Sequence, residues 1–235
     1  FFLEGQGIFS FGGSASGRRG GGGGGGGQTP ILFFSRQIGI SDEGDPVPIR
    51  AGSRVTGRAG AFTLGLLSVQ TGEDTDLGVP GTNFSVVRVR RDIFRRSSIG
   101  FMGTNRSVSL EGDGSSQSYG LDASFSFLEN LNIGTYYAQT NTPGRSGENT
   151  SYSARIGNTG DRYGFSVSHL LVGKNFNPEV GFVRRDDFRQ SRAQVQFTPR
   201  PRGIRAIRQF QFRGDINYLT NESTGILETR DAGAQ

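Results

Sequence analysis

The chain has 235 residues, of which 33% are hydrophobic and 11% aromatic, with 39 glycines, 19 phenylalanines and a net charge of +5. A soluble core of this length draws on more Leu, Ile and Val than that, no stretch approaches the ~20 apolar residues of a membrane-spanning helix, and with no cysteine disulfides, thiolate metal sites and Cys nucleophiles are all excluded. The pI is near 10.1, carried by arginine with Lys174 as the one lysine, but the acidic residues are interleaved with the arginines, which argues against a nucleic-acid partner.

Residues 1–29 read as a lead-in segment. An aromatic-rich start gives way to Arg18-Arg19 and an unbroken glycine run over 20–27, which the entropy cost of ordering glycine predicts to be a loop. No Lys-Ser/Thr follows the run, so it is not a phosphate-binding loop. Phe1-Phe2-Leu3-Glu4 lacks the charged start, apolar middle and small-residue cleavage site of a signal peptide. Asp231-Ala232-Gly233-Ala234-Gln235 lacks the terminal aromatic of a barrel's closing strand. An internal piece of a longer protein is therefore expected.

From residue 30 to 235 the chain reads as strand, turn, strand. Predicted strands cover 31–37, 53–59, 62–70, 84–91, 98–105, 119–128, 131–140, 150–158, 163–172, 179–185, 190–198, 208–219 and 225–230. Several alternate strictly. Tyr119, Leu121, Ala123, Phe125 and Phe127 are separated by Gly120, Asp122, Ser124 and Ser126, and Phe210, Phe212, Gly214, Ile216 and Tyr218 by Gln211, Arg213, Asp215 and Asn217. Tyr163, Phe165, Val167 and Leu171 follow the same rule, as do Tyr152 and Ile156 around Arg155, with Ser166 on the polar side. Strand side chains repeat every two residues, so each segment offers one apolar and one hydrophilic face. About ten residues at roughly 3.3 Å rise, tilted by about 40°, cross an apolar band of roughly 25 Å. Tight connections alternate with longer ones, the habit of membrane barrels. The expected fold is all-β, an antiparallel up-and-down transmembrane β-barrel forming part of a larger barrel, with a closed barrel of about twelve strands as the alternative.

Several ordered motifs carry a family resemblance: Phe1-Phe2-Leu3-Glu4-Gly5, Phe33-Phe34-Ser35-Arg36-Gln37-Ile38-Gly39, the segment 52–60 followed by Phe62-Thr63-Leu64-Gly65-Leu66-Leu67-Ser68-Val69-Gln70-Thr71, Thr82-Asn83-Phe84-Ser85-Val86-Val87-Arg88-Val89-Arg90-Arg91-Asp92, and Asn175-Phe176-Asn177-Pro178-Glu179-Val180-Gly181-Phe182-Val183-Arg184-Arg185. Over most of its length the chain resembles bacterial proteins with an N-terminal domain like carbohydrate-binding module family nine and a long C-terminal domain of unknown function, numbered fifty-nine-sixteen. The resemblance implies part of an outer-membrane β-barrel of a Gram-negative cell, with a sugar-binding-like domain upstream in the same protein. It supplies no catalytic residues.

The residues leave little for catalysis. His169, the lone histidine, shares the apolar face with Val167 and Leu171, so a nucleophile would have to come from a paired strand; the expectation is a belt residue at the membrane interface and no catalytic centre. Asp42-Glu43-Gly44-Asp45, Glu73-Asp74-Thr75-Asp76 and Glu111-Gly112-Asp113 lack calcium-hand spacing and read as solvated loops. No metal and no cofactor is expected. The arginines are the candidate contacts: Arg88, Arg90, Arg91, Arg184, Arg185 and Arg213 could hold anions in a lumen or lipopolysaccharide phosphates at a rim. Alternatively, the clusters pair with carboxylates such as Asp92, Asp122 and Asp215 inside the wall and fix register. The function expected is an outer-membrane channel or uptake component for a saccharide or other small solute. The alternatives are a structural barrel anchoring the upstream domain and, from a different class, an outer-membrane hydrolase.

Overall fold

The computed structural model describes residues 7–12, 28–41, 44–75, 78–201 and 208–235. The glycine run, Arg18, Arg19, Asp42, Glu43, Asp76, Arg202 and Arg205 lie outside them. The described chain forms one antiparallel sheet in which sequence neighbours are spatial neighbours throughout: β1 (Ile49–Ala59), β2 (Phe62–Thr71), β3 (Asn83–Ile93), β4 (Ser97–Arg106), β5 (Ser116–Phe127), β6 (Leu131–Asn141), β7 (Thr150–Thr159), β8 (Tyr163–Val172), β9 (Phe188–Phe197), β10 (Phe212–Asn221) and β11 (Leu227–Ala234). The connections 60–61, 94–96, 128–130 and 160–162 make one end of the wall tight. Those over 72–82, 107–115, 142–149 and 173–187 make the other end loop-rich. The segment 198–211 is the one long connection at the tight end.

The wall is sheared. Following paired residues across it, one row runs Arg58, Thr63, Arg90, Gly100, Asp122, Tyr136, Ser153, Leu170, Gln190, Leu219 and Thr229. The row starts beside the turn end of β1 and climbs steadily until, in β10, it lies near the loop end. Such a drift means that the strands tilt relative to the axis they wrap, the stagger that lets a sheet curl into a barrel. The wall is open: β1 and β11 do not pair with each other, and because both run in the same direction a direct pairing would be parallel. Among the described residues no strand pairs with their outer edges.

Two of the expected strands are not strands. Residues 31–37 hold only an isolated bridge at Ile31 and a 3-10 turn, Ser35–Gln37, and residues 179–185 hold the partner of that bridge, Phe182. Ile31 and Phe182 exchange two backbone hydrogen bonds of 2.9 and 2.7 Å, and Phe34 N–H donates to Val180 at 2.9 Å. The physical reason lies in the sequence: Ile31-Leu32-Phe33-Phe34 is a contiguous apolar run, not an alternating one, so it suits burial on all sides. It fills the concave face. Phe9, Phe11, Leu32, Ile38, Phe176 and Val180 pack against Leu67, Val69, Val86, Met102, Ala138, Val172 and Phe188 of the wall as one buried cluster. Glycines admit this plug: a Cβ at Gly65 would sit 2.9 Å from Phe9, and one at Gly120 would sit 2.5 Å from Phe11.

Candidate functional site

Pairing registers put Tyr119, Leu121, Phe125, Phe127, Tyr152, Ile156, Tyr163, Phe165, Val167, Phe212, Ile216 and Tyr218 on the convex face and Asp122, Ser124, Arg155, Ser166, Arg213, Asp215 and Asn217 on the concave one, while Arg91, a candidate lumen or rim contact, falls on the convex side. The convex face is banded. Leu121, Ala123, Ile133, Ala154, Ile156, Val167, Ala193, Val195 and Ile216 form its middle, with Leu121 62% and Val195 59% exposed. Towards the turn end Phe125 stacks on Phe127 (ring centroids 5.9 Å), Tyr163 on Phe197 (5.0 Å) and Phe210 on Phe212 (6.4 Å). Arginines cap this belt, Arg91 lying 5.3 Å from the Phe62 ring and Arg162 5.4 Å from that of Tyr163. Towards the loop end Tyr119, Tyr137, Tyr152 and Tyr218 form a second belt.

The concave face divides along the sheared rows. The row Thr56, Gly65, Arg88, Met102, Gly120, Ala138, Ser151, Val172, Phe188 lies under the plug. Two rows nearer the turn end, the sequence is Asp92, Ser98, Ser124, Gly134, Arg155, Ser168, Arg192, Asn217, Asp231, with no apolar side chain larger than a hydrogen atom's worth of glycine. Below it lie Asn132, Ser166, Gln194 and Asp215. Among the described residues this half of the concave face carries polar side chains and no hydrophobic cluster.

The six candidate arginines do not form one site. Arg88 is buried under Phe11, its guanidinium 5.7 Å from that ring, and grips Asp122 through two bonds of 2.5 and 2.9 Å. Arg90 lies 3.8 Å from Asp92, which also accepts from Arg58 at 2.7 Å. Arg91 faces outward. Arg213 faces the polar half of the concave side. For Arg88 and Arg90, then, pairing inside the wall is what the structure holds. Arg184 and Arg185 sit elsewhere, at the loop-end rim, lining a cleft of about 600 Å³ with Arg36, Arg106, Arg145 and Glu179. Glu179 builds that rim: its buried carboxylate accepts from Ser109 Oγ at 2.6 Å and Leu110 N at 3.0 Å and faces Arg106 at 3.8 Å. Arg145 pairs with Glu111, and Arg185 with Glu228. The Arg145 guanidinium is raised above its ordinary range by its bonds to Glu111.

His169 does acquire a nucleophile-type neighbour from a paired strand. Its Nδ1 lies 2.9 Å from Ser191 Oγ on β9, and its ring is 6.0 Å from that of Tyr152. A working dyad also needs a group orienting the second ring nitrogen and donors for an oxyanion, and the described residues place neither there. The contact satisfies two polar side chains within the loop-side aromatic belt. Sequence reasoning missed Ser191 because pairing across strands is fixed by register, which a single strand does not reveal. Among the described residues no group of His, Asp and Glu is arranged to hold a metal ion. No protein-family model, no curated protein and no solved structure matches the chain.

Proposed function

We propose that this chain is the membrane-embedded wall of a bacterial outer-membrane β-barrel, one that takes part in passage of a saccharide or other small hydrophilic solute. The observation that carries the reading is the banded convex face. A soluble monomer seldom exposes apolar patches beyond a few hundred Å², whereas an aliphatic band between aromatic belts is what a lipid bilayer selects on a strand wall. The dimension comes close to, and falls short of, the apolar band of roughly 25 Å. Tyr119 and Phe127 lie on the same face of β5; eight residues at roughly 3.3 Å make about 26 Å along the strand, or about 20 Å along the axis at a tilt of about 40°. Outer-membrane lipid and lipopolysaccharide are then its surroundings, the rim arginines Arg184 and Arg185 being placed for headgroup phosphates or for the solute.

The chain has no native tryptophan, so a single one can report depth. Leu121→Trp in vesicles whose acyl chains carry bromine should be strongly quenched, and Ser124→Trp should not; equal quenching would refute the reading. Solute passage is read separately, as conductance of the full-length protein in a planar bilayer. The plug favours a second reading, a closed barrel that anchors the upstream sugar-binding-like domain, and a silent bilayer would select it.

A further inference from the structure

We infer that the polar half of the concave face holds an oxyanion site, in which Arg155 and Arg192 flank Ser168 and bind a carboxylate- or phosphate-bearing solute. The inference rests on that face bounding the lumen. Arg155 on β7 pairs in register with Ser168 on β8, and Ser168 pairs with Arg192 on β9. All three therefore point to the same side at the same level, and the two arginine backbones are about 10 Å apart across the middle strand. Two long guanidinium side chains over a serine hydroxyl offer a ring of donors that fits one oxyanion.

The charges around it are unbalanced. Among the described residues this half of the face carries Arg58, Arg90, Arg155, Arg192 and Arg213 against Asp92, Asp122, Asp215 and Asp231; Asp92 is already held by Arg58 and Arg90, and Asp122 by Arg88. Neither Arg155 nor Arg192 enters an ion pair among the described residues. Arg192 Nε donates to the neutral Asn217 Oδ1 at 3.0 Å, and its guanidinium lies 2.8 Å from the equally neutral side-chain amide of Gln190, contacts that orient it without neutralising it. The neighbours facing Arg155 are Gly134, Ser153, Gly157 and Ser168, none of them acidic. The one carboxylate near Arg192 on the adjoining strand, Asp215, is a diagonal neighbour and forms no ion pair. Unpaired cations persist on a wall where they meet water and a mobile anion, not where they are packed.

The test is calorimetric titration of inorganic phosphate into the full-length protein folded in neutral detergent at low salt. Binding is expected, weaker at 0.5 M sodium chloride, and at least tenfold weaker in Arg155→Gln/Arg192→Gln, with partial recovery in Arg155→Lys/Arg192→Lys. Ser168→Asp should abolish it by seating a carboxylate between the guanidinium groups, while Asn132→Ala, lower on the same face, should leave it unchanged. Absence of phosphate binding by the parent protein overturns the proposal, and so does unaltered binding by a folded Arg155→Gln/Arg192→Gln variant or, should that variant not fold, by Ser168→Asp. The outcome is separable from the membrane reading, which the bromine quenching of Leu121→Trp decides without reference to phosphate.

Discussion

Removing the carboxylate of Asp122 tests the packing of the wall against its plug. Arg88 keeps 2% of its side-chain surface in solvent and Asp122 17%, and the guanidinium is covered by Phe11. Asp122→Ala leaves that charge buried with neither of its two carboxylate bonds. Breaking one side of a buried pair costs about 3–5 kcal/mol; the residual exposure of Asp122 puts the cost here near the lower end, about 3 kcal/mol, a shift of more than a hundredfold in the folding equilibrium. Replacing both partners, Arg88→Met with Asp122→Leu, removes the stranded charge and should recover most of the loss. Urea titration of the protein in lipid vesicles, followed by the far-ultraviolet signal of the sheet, measures both. A loss below about 1 kcal/mol for Asp122→Ala, or a double variant no better than the single one, would refute the argument that the pair is sealed by the plug.

Further outcomes follow from the two faces and the loops. Leu121→Arg, in the middle of the apolar band, should lower stability in vesicles by about 2–4 kcal/mol, while Ser124→Arg on the polar side should fold normally; equal yields would contradict the assigned faces. Gly181→Val should expel the plug, because a Cβ at that position would sit 1.9 Å from the Ile31 carbonyl oxygen, and hydrogen exchange at the Ile31 and Phe34 amides should rise sharply. His169→Ala and Ser191→Ala should both leave any ester or lipid hydrolysis by the full-length protein unchanged, and Ser191 should not react with a fluorophosphonate; labelling there would reopen the hydrolase reading. At the loop end, burial pushes the Asp187 carboxyl up, but bonds from Ser223 and Asn221 outweigh it and hold the group below its ordinary range. A depressed folded value stabilises above the unfolded value of about 3.9 and is lost as pH falls through the folded one. Protection of the Ser223 amide should accordingly collapse only below about pH 4, and Asp187→Asn should remove that pH dependence.

The strands and their two faces were legible in the sequence because a period of two is a local property: Tyr119 through Phe127 alternate whatever lies beside them. The resulting order of neighbouring strands needed only short connections. What fills the concave side was not legible, since Ile31-Leu32-Phe33-Phe34 and Glu179-Val180-Gly181-Phe182 read locally as strands and become a plug and its seat only when two distant segments meet through Ile31 and Phe182. The arginines divide in the same way. Their type announced an affinity for anions, but whether one is spent on a carboxylate depends on register: Arg88 finds Asp122 two strands away, Arg90 shares Asp92 with Arg58, and Arg155 and Arg192 form no ion pair among the described residues. Register and shear are set by contacts among all the strands together, so the tertiary structure alone decides which charges are sealed into the wall and which remain for a solute.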